Sequence, residues 1–357
     1  MKNFYFKYER MISFAALVTG FTVDNLTIGR VDLLYGHVII LAHLLLTAAC
    51  ITLINARGAK IIPGKLRALG EQFAPIVLQF SFGGLFNAFF AFYAQSTPFG
   101  ASTFFLVILA GLLVGNEFFR ARYQRLAFQL GIFFIALFSY SALVIPTLSA
   151  DMSPAIFVLS GLVSLIAVGL VILVLSFLIP VEIRGSGRLL LKSIIGIYVA
   201  FNYLYFANFI PPIPLALKEI GIYHSVERQP NGSYALTYEP APWYQLFSQT
   251  SNVYHWTPGA PVYAFSAIFA PTHLSTDILH RWSYYDEREG EWIQSFVMRF
   301  PISGGRDKGY RGYTVKEQVF PGLWRVDVVT SRGQLLGRAS LSIIASDSPP
   351  TLTTDTR

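Results

Sequence analysis

Long apolar runs separated by short polar gaps fill the first 210 residues, and beyond Pro214 the apolar positions recur at every second residue. A helix needs about 20 apolar residues to cross a hydrocarbon core of roughly 30 Å. Seven stretches predict such helices, at 11–28, 33–55, 73–93, 101–119, 126–148, 155–179 and 189–209. The first is the shortest and turns polar at Asp24 and Asn25. Later in the chain, strands are predicted over 221–228, 233–239, 261–270, 277–286, 291–300, 311–318, 322–330 and 334–344. Asn231-Gly232, Glu289-Gly290 and Arg332-Gly333 supply turn signals between them. The expected fold class is an integral-membrane all-α bundle of seven transmembrane helices over 1–210, followed by an all-β antiparallel sandwich over 219–345. Pro211, Pro212 and Pro214 make 211–218 a stiff junction, and 346–357, rich in Asp, Ser, Pro and Thr, reads as a disordered tail. Trp243, Leu246 and Phe247 at i, i+3 and i+4 predict a short amphipathic helical turn over 242–249, capping the sandwich or lying on the membrane surface.

Charge adds an orientation. Lys2, Lys7 and Arg10 precede the first span, and Arg57, Lys60, Lys65 and Arg67 lie between the second and third. Arg120, Arg122 and Arg125 separate the fourth and fifth, and Arg184, Arg188 and Lys192 the sixth and seventh. The opposite gaps hold Arg30 alone, so 13 basic residues stand against 1. Basic residues favour the cytoplasmic side, which places the N-terminus inside and the domain after the seventh span outside the cytoplasm. The part up to Leu217 has 14 basic and 7 acidic residues and carries the whole net charge of +7; the remainder has 13 of each. A basic excess confined to short gaps is a topology signal and argues against a nucleic-acid partner. Mean hydropathy of +0.51 agrees with a chain whose first partner is the lipid bilayer.

Cys50 is the single cysteine, so there is no disulfide framework and no thiolate metal site. Nothing resembles a cleavable signal peptide, and the N-terminus is expected to be retained. Polar residues within spans are costly unless paired or wetted, which singles out Asp24 and Asn87 as intramembrane candidates. Asn25, His37, His43, Gln79, Asn202 and Asn208 are less specific, since Asn and Gln commonly bond across helices. Gly111 and Gly115 fit GxxxG and suggest close helix packing, within the bundle or between protomers; the oligomeric state stays open.

The motifs His280-Arg281-Trp282, Gly309-Tyr310-Arg311-Gly312-Tyr313, Gly322-Leu323-Trp324-Arg325-Val326-Asp327-Val328 and Gly333-Gln334-Leu335-Leu336 resemble the DUF2914 family over 277–344. That family is a bacterial domain of unknown function often found at the C-terminus of membrane proteins. The resemblance implies a bacterial inner-membrane protein with a periplasmic domain, and it implies no activity.

Within this region His280, Arg281, Trp282, Arg311, Trp324 and Arg325 form the candidate ligand site. Arginine forks suit carboxylates or phosphates, and aromatic faces suit sugar rings. Alternation puts Ile278, His280, Trp282 and Tyr284 on one strand face and Leu279, Arg281, Ser283 and Tyr285 on the other. Arg325 and Asp327 likewise face away from Trp324, Val326 and Val328. A conservative reading makes Trp282 and Trp324 core residues, with His280 and Arg311 satisfying internal polar groups; on sequence alone both readings stand. His224, His255, His273 and His280 form no HxH or HExxH pair, and 303–309 lacks the Gly-Lys-Ser/Thr of a phosphate loop. The expectation is therefore no catalytic residues, no metal and no cofactor. The function expected is a periplasmic β-sandwich that binds an envelope protein partner, glycan or lipid headgroup. A small-molecule transporter or membrane enzyme acting within the bundle is the alternative.

Overall fold

A computed structural model describes residues 34–56, 64–96, 103–118, 125–243, 245, 249–306, 308–346 and 350–357. The chain divides into two compact units, helical up to Ile213 and built of strands from Pro214.

Among the described residues six helices occupy six of the seven apolar runs: α1 Leu34–Asn55, α2 Gly64–Gln95, α3 Thr103–Phe118, α4 Leu126–Ser149, α5 Pro154–Leu178 and α6 Pro180–Phe206. Five are long and apolar enough to cross a membrane, while α3 is apolar with 16 residues. The run at 11–28, with Asp24, lies outside the described residues. Two boundaries differ from expectation. Helix α2 begins at Gly64 and α6 at Pro180, so Lys65, Arg67, Arg184, Arg188 and Lys192 lie on helices and not in gaps. Proline is favoured at a first helical position, and a Gly such as Gly185 or Gly187 costs only about 1 kcal/mol in a helix, too little to delay the start of α6. Arg184, Arg188 and Lys192 then fall four apart, on one exposed stripe.

Burial is unevenly shared. Helix α4 is enclosed on most sides, with Gln129, Leu130, Phe134, Phe138 and Ser139 all buried. Helix α5 buries one stripe (Phe157, Ser160, Gly161, Ser164, Val168, Leu175) and leaves Leu162, Ile166, Leu170, Leu173 and Phe177 exposed. An apolar face of this extent is unfavourable against water and suits lipid. Among the described residues nothing lies within 4 Å of a Cβ built on Gly111 of the GxxxG pair. Gly161 is the glycine of close approach: its Cβ would lie 2.7 Å from both Phe138 and Tyr198. There α5 closes against rings of α4 and α6, where Phe138 stacks on Phe201 at 4.6 Å.

Among the described residues the second unit has eleven strands in three sheets. The central sheet has the order β1 (Ala216–Tyr223), β5 (Val262–Phe269), β8 (Tyr310–Lys316). The large sheet runs β4 (Val253–Trp256), β10 (Leu335–Ala345), β9 (Gly322–Thr330), β6 (Ser275–Asp286), β7 (Glu291–Ser303). The small sheet runs β11 (Thr353–Thr356), β3 (Tyr234–Tyr238), β2 (Ser225–Arg228). All eight expected strands are present, and three features correct the simple antiparallel sandwich. Strand β4 was not expected, and it pairs parallel with β10. The run 221–228 breaks at His224 into β1 and β2, which enter different sheets, and β1 reaches back to Ala216 in the expected junction. Part of the expected disordered tail is a strand: β11 pairs with β3, and Tyr238 donates to Asp355 at 2.9 Å. Composition had no way to register that the edge of β3 satisfies the tail's backbone groups. Half of the expected helical turn over 242–249, residues 244 and 246–248, lies outside the described residues, and Trp243 within it is 87% exposed.

Strand β5 explains the layering. Val262 and Ala264 pack with Trp282, Trp324, Val326 and Leu341 of the large sheet. Phe265 and Ala267 pack with Tyr223, Val226, Leu236 and Tyr238 on the other side. The central sheet is thus covered on both faces, which is why β5 reads as an almost unbroken apolar run. The large sheet buries one face toward this core and keeps an alternating pattern. Trp282 and Trp324 are both fully buried, each contributing roughly 5 kcal/mol as an upper bound from area.

The glycines of 303–309 close this core. A Cβ on Gly304 would lie 1.7 Å from the Pro271 carbonyl oxygen, and Gly309 (φ +81°) sits against the Ile268 backbone. Gly304→Ala is therefore expected to destabilise the β unit by about 2 kcal/mol or more. Thermal unfolding of the full chain in mild detergent, followed by Trp fluorescence, reads this; an unchanged Tm contradicts it.

Candidate functional site

Strand β6 distributes the candidate residues by parity. Ile278, His280 and Trp282 point into the core, and His280 is fully buried. Its Nε2 bonds Ser266 Oγ of β5 at 2.8 Å, and its Nδ1 bonds Thr314 Oγ1 of β8 at 3.0 Å. Trp282 Nε1 donates to the same Thr314 hydroxyl at 3.0 Å. Both ring nitrogens of His280 are thereby used in joining two sheets, and Phe300 meets the ring edge-on at 5.0 Å. Trp324 is closed in by Tyr284 and Phe320, and its Nε1 donates to the Phe320 carbonyl at 2.9 Å.

The six-residue site consequently does not converge. His280, Trp282 and Trp324 are fully buried in the core, the position the conservative reading gave to the two tryptophans. Arg311 is the partner of Ala267 in the β5–β8 ladder, so it faces the small sheet, whereas Thr314 faces His280. Alternation along β8 separates Arg311 from the tryptophans.

Arg281 and Arg325 do come together, on the outer face of the large sheet. In the ladders Arg281 lies opposite Asp327, Ser283 opposite Arg325, and Asp327 opposite Arg338. Asp327 is only 3% exposed and receives a two-pronged bond from Arg338, Nε to Oδ1 at 2.5 Å and Nη2 to Oδ2 at 3.0 Å. Arg325 reaches the same carboxylate only at 3.9 Å, and its guanidinium lies 4.3 Å from the Trp292 ring centre. Among the described residues the buried Nε atoms of Arg281 and Arg325 have no hydrogen-bond partner. Burial and the neighbouring positive charge of Arg338 depress the Arg325 pKa, Asp327 opposes this, and Arg281 adds to the depression. The bond to Asp327 raises that of Arg338. Arg338 and, at longer range, Arg325 thus share one buried carboxylate beside an aromatic wall of Trp292 and Tyr285, whose rings are 5.4 Å apart. The sequence motif contained Asp327, but Arg338 and Trp292 went unrecognised as site residues.

A second constellation was also missed. Glu239 Oε1 bonds His224 Nε2 at 2.9 Å and the His255 backbone N–H at 2.7 Å, while Oε2 bonds His255 Nδ1 at 2.6 Å. Burial pushes the Glu239 carboxyl up, but the bonds from His255 and His224 outweigh this and hold it below its ordinary value. Glu239 and His255 border an open cavity of about 450 Å³ that also involves Ser251 and Pro350. With each carboxylate oxygen already taken, the cluster ties the end of β3 to β4 and to the β1–β2 corner. Among the described residues no group of His, Cys, Asp and Glu is arranged to hold a metal. Of the intramembrane candidates, Asn87 is 2% exposed on α2 and Asp24 lies outside the described residues.

Comparison with known proteins bears on the same strands. Residues 275–343 match the DUF2914 family model. That family is described as a protein of unknown function, and the matched segment runs from β6 into β10. It therefore contains Arg281, Arg325, Asp327 and Arg338 together with the buried His280. No curated protein matches the chain. One solved structure, Pseudomonas fluorescens alkylpurine DNA glycosylase AlkC bound to DNA containing an abasic site analog, is similar at 12% identity over 87% of this chain and 99% of its own. Its TM-score of 0.19 describes no common fold.

Burial pushes the pKa of His280 down to about 4, from an ordinary 6.5. Between those values the unfolded chain binds a proton that the folded chain refuses. The stability is fully present above pH 6.5 and is lost as pH falls toward 4, by an amount on the order of 3 kcal/mol. His280→Gln should remove this component, so the Tm of the variant should fall less than that of the parent between pH 7 and pH 4.5. Parallel pH profiles would contradict the assignment.

Proposed function

We propose that this chain is a bacterial inner-membrane protein that crosses the bilayer seven times and carries its β unit in the periplasm, where the outer face of the large sheet binds an envelope ligand or protein partner. Membrane residence is supported by five helices of spanning length and by the apolar side chains that α5 leaves exposed. The 13-to-1 division of basic residues between alternate gaps supports an inside N-terminus and an outside β unit. The bacterial setting rests on the likeness to DUF2914.

One observation carries the binding role: Arg281 and Arg325 lie diagonally on the outer face of adjacent strands, and among the described residues Arg281 has no ion pair while Arg325 reaches only Asp327, at 3.9 Å. A surface that only needed solubility has little reason to hold guanidiniums close together, since like charges on neighbouring strands repel. Work within the bundle is favoured by a different observation, the hydroxyls of Thr47 and Ser81, which are fully buried with no hydrogen-bond partner among the described residues. The two readings separate in one experiment. Native mass spectrometry of the intact chain, released in mild detergent, should show a bound species on the parent and none on the Arg281→Ala/Arg325→Ala double variant. Retention of that species by the double variant, with loss on Thr47→Val/Ser81→Ala, would move the site into the bundle.

A further inference from the structure

We infer that the outer face of the large sheet binds a phosphate group, held between the guanidiniums of Arg281 and Arg325; this rests on the reading of that face as a binding surface. The cluster contains its own calibration. Asp327 shows what a carboxylate needs in this setting: two oxygens saturated by the single fork of Arg338. Two further guanidiniums remain, on adjacent strands and diagonal to each other. An anion that gives each guanidinium fork two oxygens of its own needs four. Phosphate has four and carries up to two charges against the two guanidiniums, whereas a carboxylate has two oxygens and one charge.

Arg325 is prepared for the task. Its stacking on Trp292 uses the face of the guanidinium and leaves the in-plane N–H donors free. Asp327, 5% exposed at its side chain, acts as a positioning residue. It draws Arg338 down onto the sheet and offsets part of the repulsion among three cations, while competing with an incoming anion for Arg325 at 3.9 Å. The net charge of the four residues is +2, which a phosphate dianion neutralises. Two sources share this chemistry, a small soluble phosphate and the phosphate of a lipid or phosphorylated glycan.

Calorimetric titration of the full chain in maltoside detergent tests the inference with inorganic phosphate, short-chain phosphatidic acid below its micelle concentration, and acetate at matched ionic strength. Inorganic phosphate should bind at least tenfold tighter than acetate. Arg281→Gln and Arg325→Gln should each weaken it tenfold or more, and Arg311→Gln, on the central sheet, should leave it unchanged. Asp327→Asn should tighten it, because the competing carboxylate is gone, even where the variant is less stable. Phosphatidic acid binding tenfold tighter than inorganic phosphate identifies a lipid source; equal affinities identify a soluble one. The inference is overturned if neither phosphate compound binds, if acetate binds as well, or if both Arg→Gln variants match the parent at unchanged Tm. Should phosphate fail while the double alanine variant still loses its bound species in the mass spectrum, only the phosphate assignment falls. Should the double variant keep that species, the binding surface falls with it.

Discussion

The burial of Trp282 and Trp324 against the central sheet sets the phase of the β unit. A strand has a period of two, so once these indoles and His280 face inward, Arg281 and Arg325 must face outward. The polar link from His280 to Ser266 and Thr314 pins that phase. A slip by one residue would place guanidiniums in the core and leave the hydroxyls of Ser266 and Thr314 without His280, at about 1–3 kcal/mol for each buried polar group. The outer cluster is therefore a consequence of the core and needs no separate device to hold it.

The three-sheet arrangement follows from the same economy of surface. The large sheet can leave one face open because the central sheet covers the other, and the small sheet in turn covers the far side of the central one. What the open face carries is then a matter of side-chain chemistry alone. Here it carries arginine in excess of carboxylate, with one buried aspartate whose oxygens are spoken for by Arg338. The helical unit solves a different problem. Its helices satisfy their backbone groups internally, and the apolar side chains of α5 that find no protein partner are suited to lipid.

Much of this was legible from residue order, for identifiable reasons. Hydropathy marks helices directly, and strand alternation correctly separated His280 and Trp282 from Arg281. Other features depend on contacts that the linear order conceals. Arg338 reaches Asp327 through a ladder whose register shifts between Leu335 and Gly337, and the bulge at Trp282/Ser283 helps bring Trp292 beneath Arg325. Glu239 gathers His224 and His255 from segments with no common motif. The strand at Thr353–Thr356 exists because β3 offers it an edge, a fact absent from its composition. Arg311 entered the candidate site by its family-like motif, and only the β5–β8 pairing shows that it faces elsewhere.

The central claim is that one face of the large sheet is core and the other is an open surface outside the cytoplasm. Neighbouring positions on β10 test both halves at once. Ser340, exposed, lies opposite Arg325, and Leu341, 3% exposed, lies opposite Trp324. In a Cys50→Ala background, which has no other thiol, Ser340→Cys should react with a membrane-impermeant maleimide in intact spheroplasts. Leu341→Cys should react only after denaturation. Labelling of Ser340→Cys only after lysis, or equal rates at the two positions, would contradict the account.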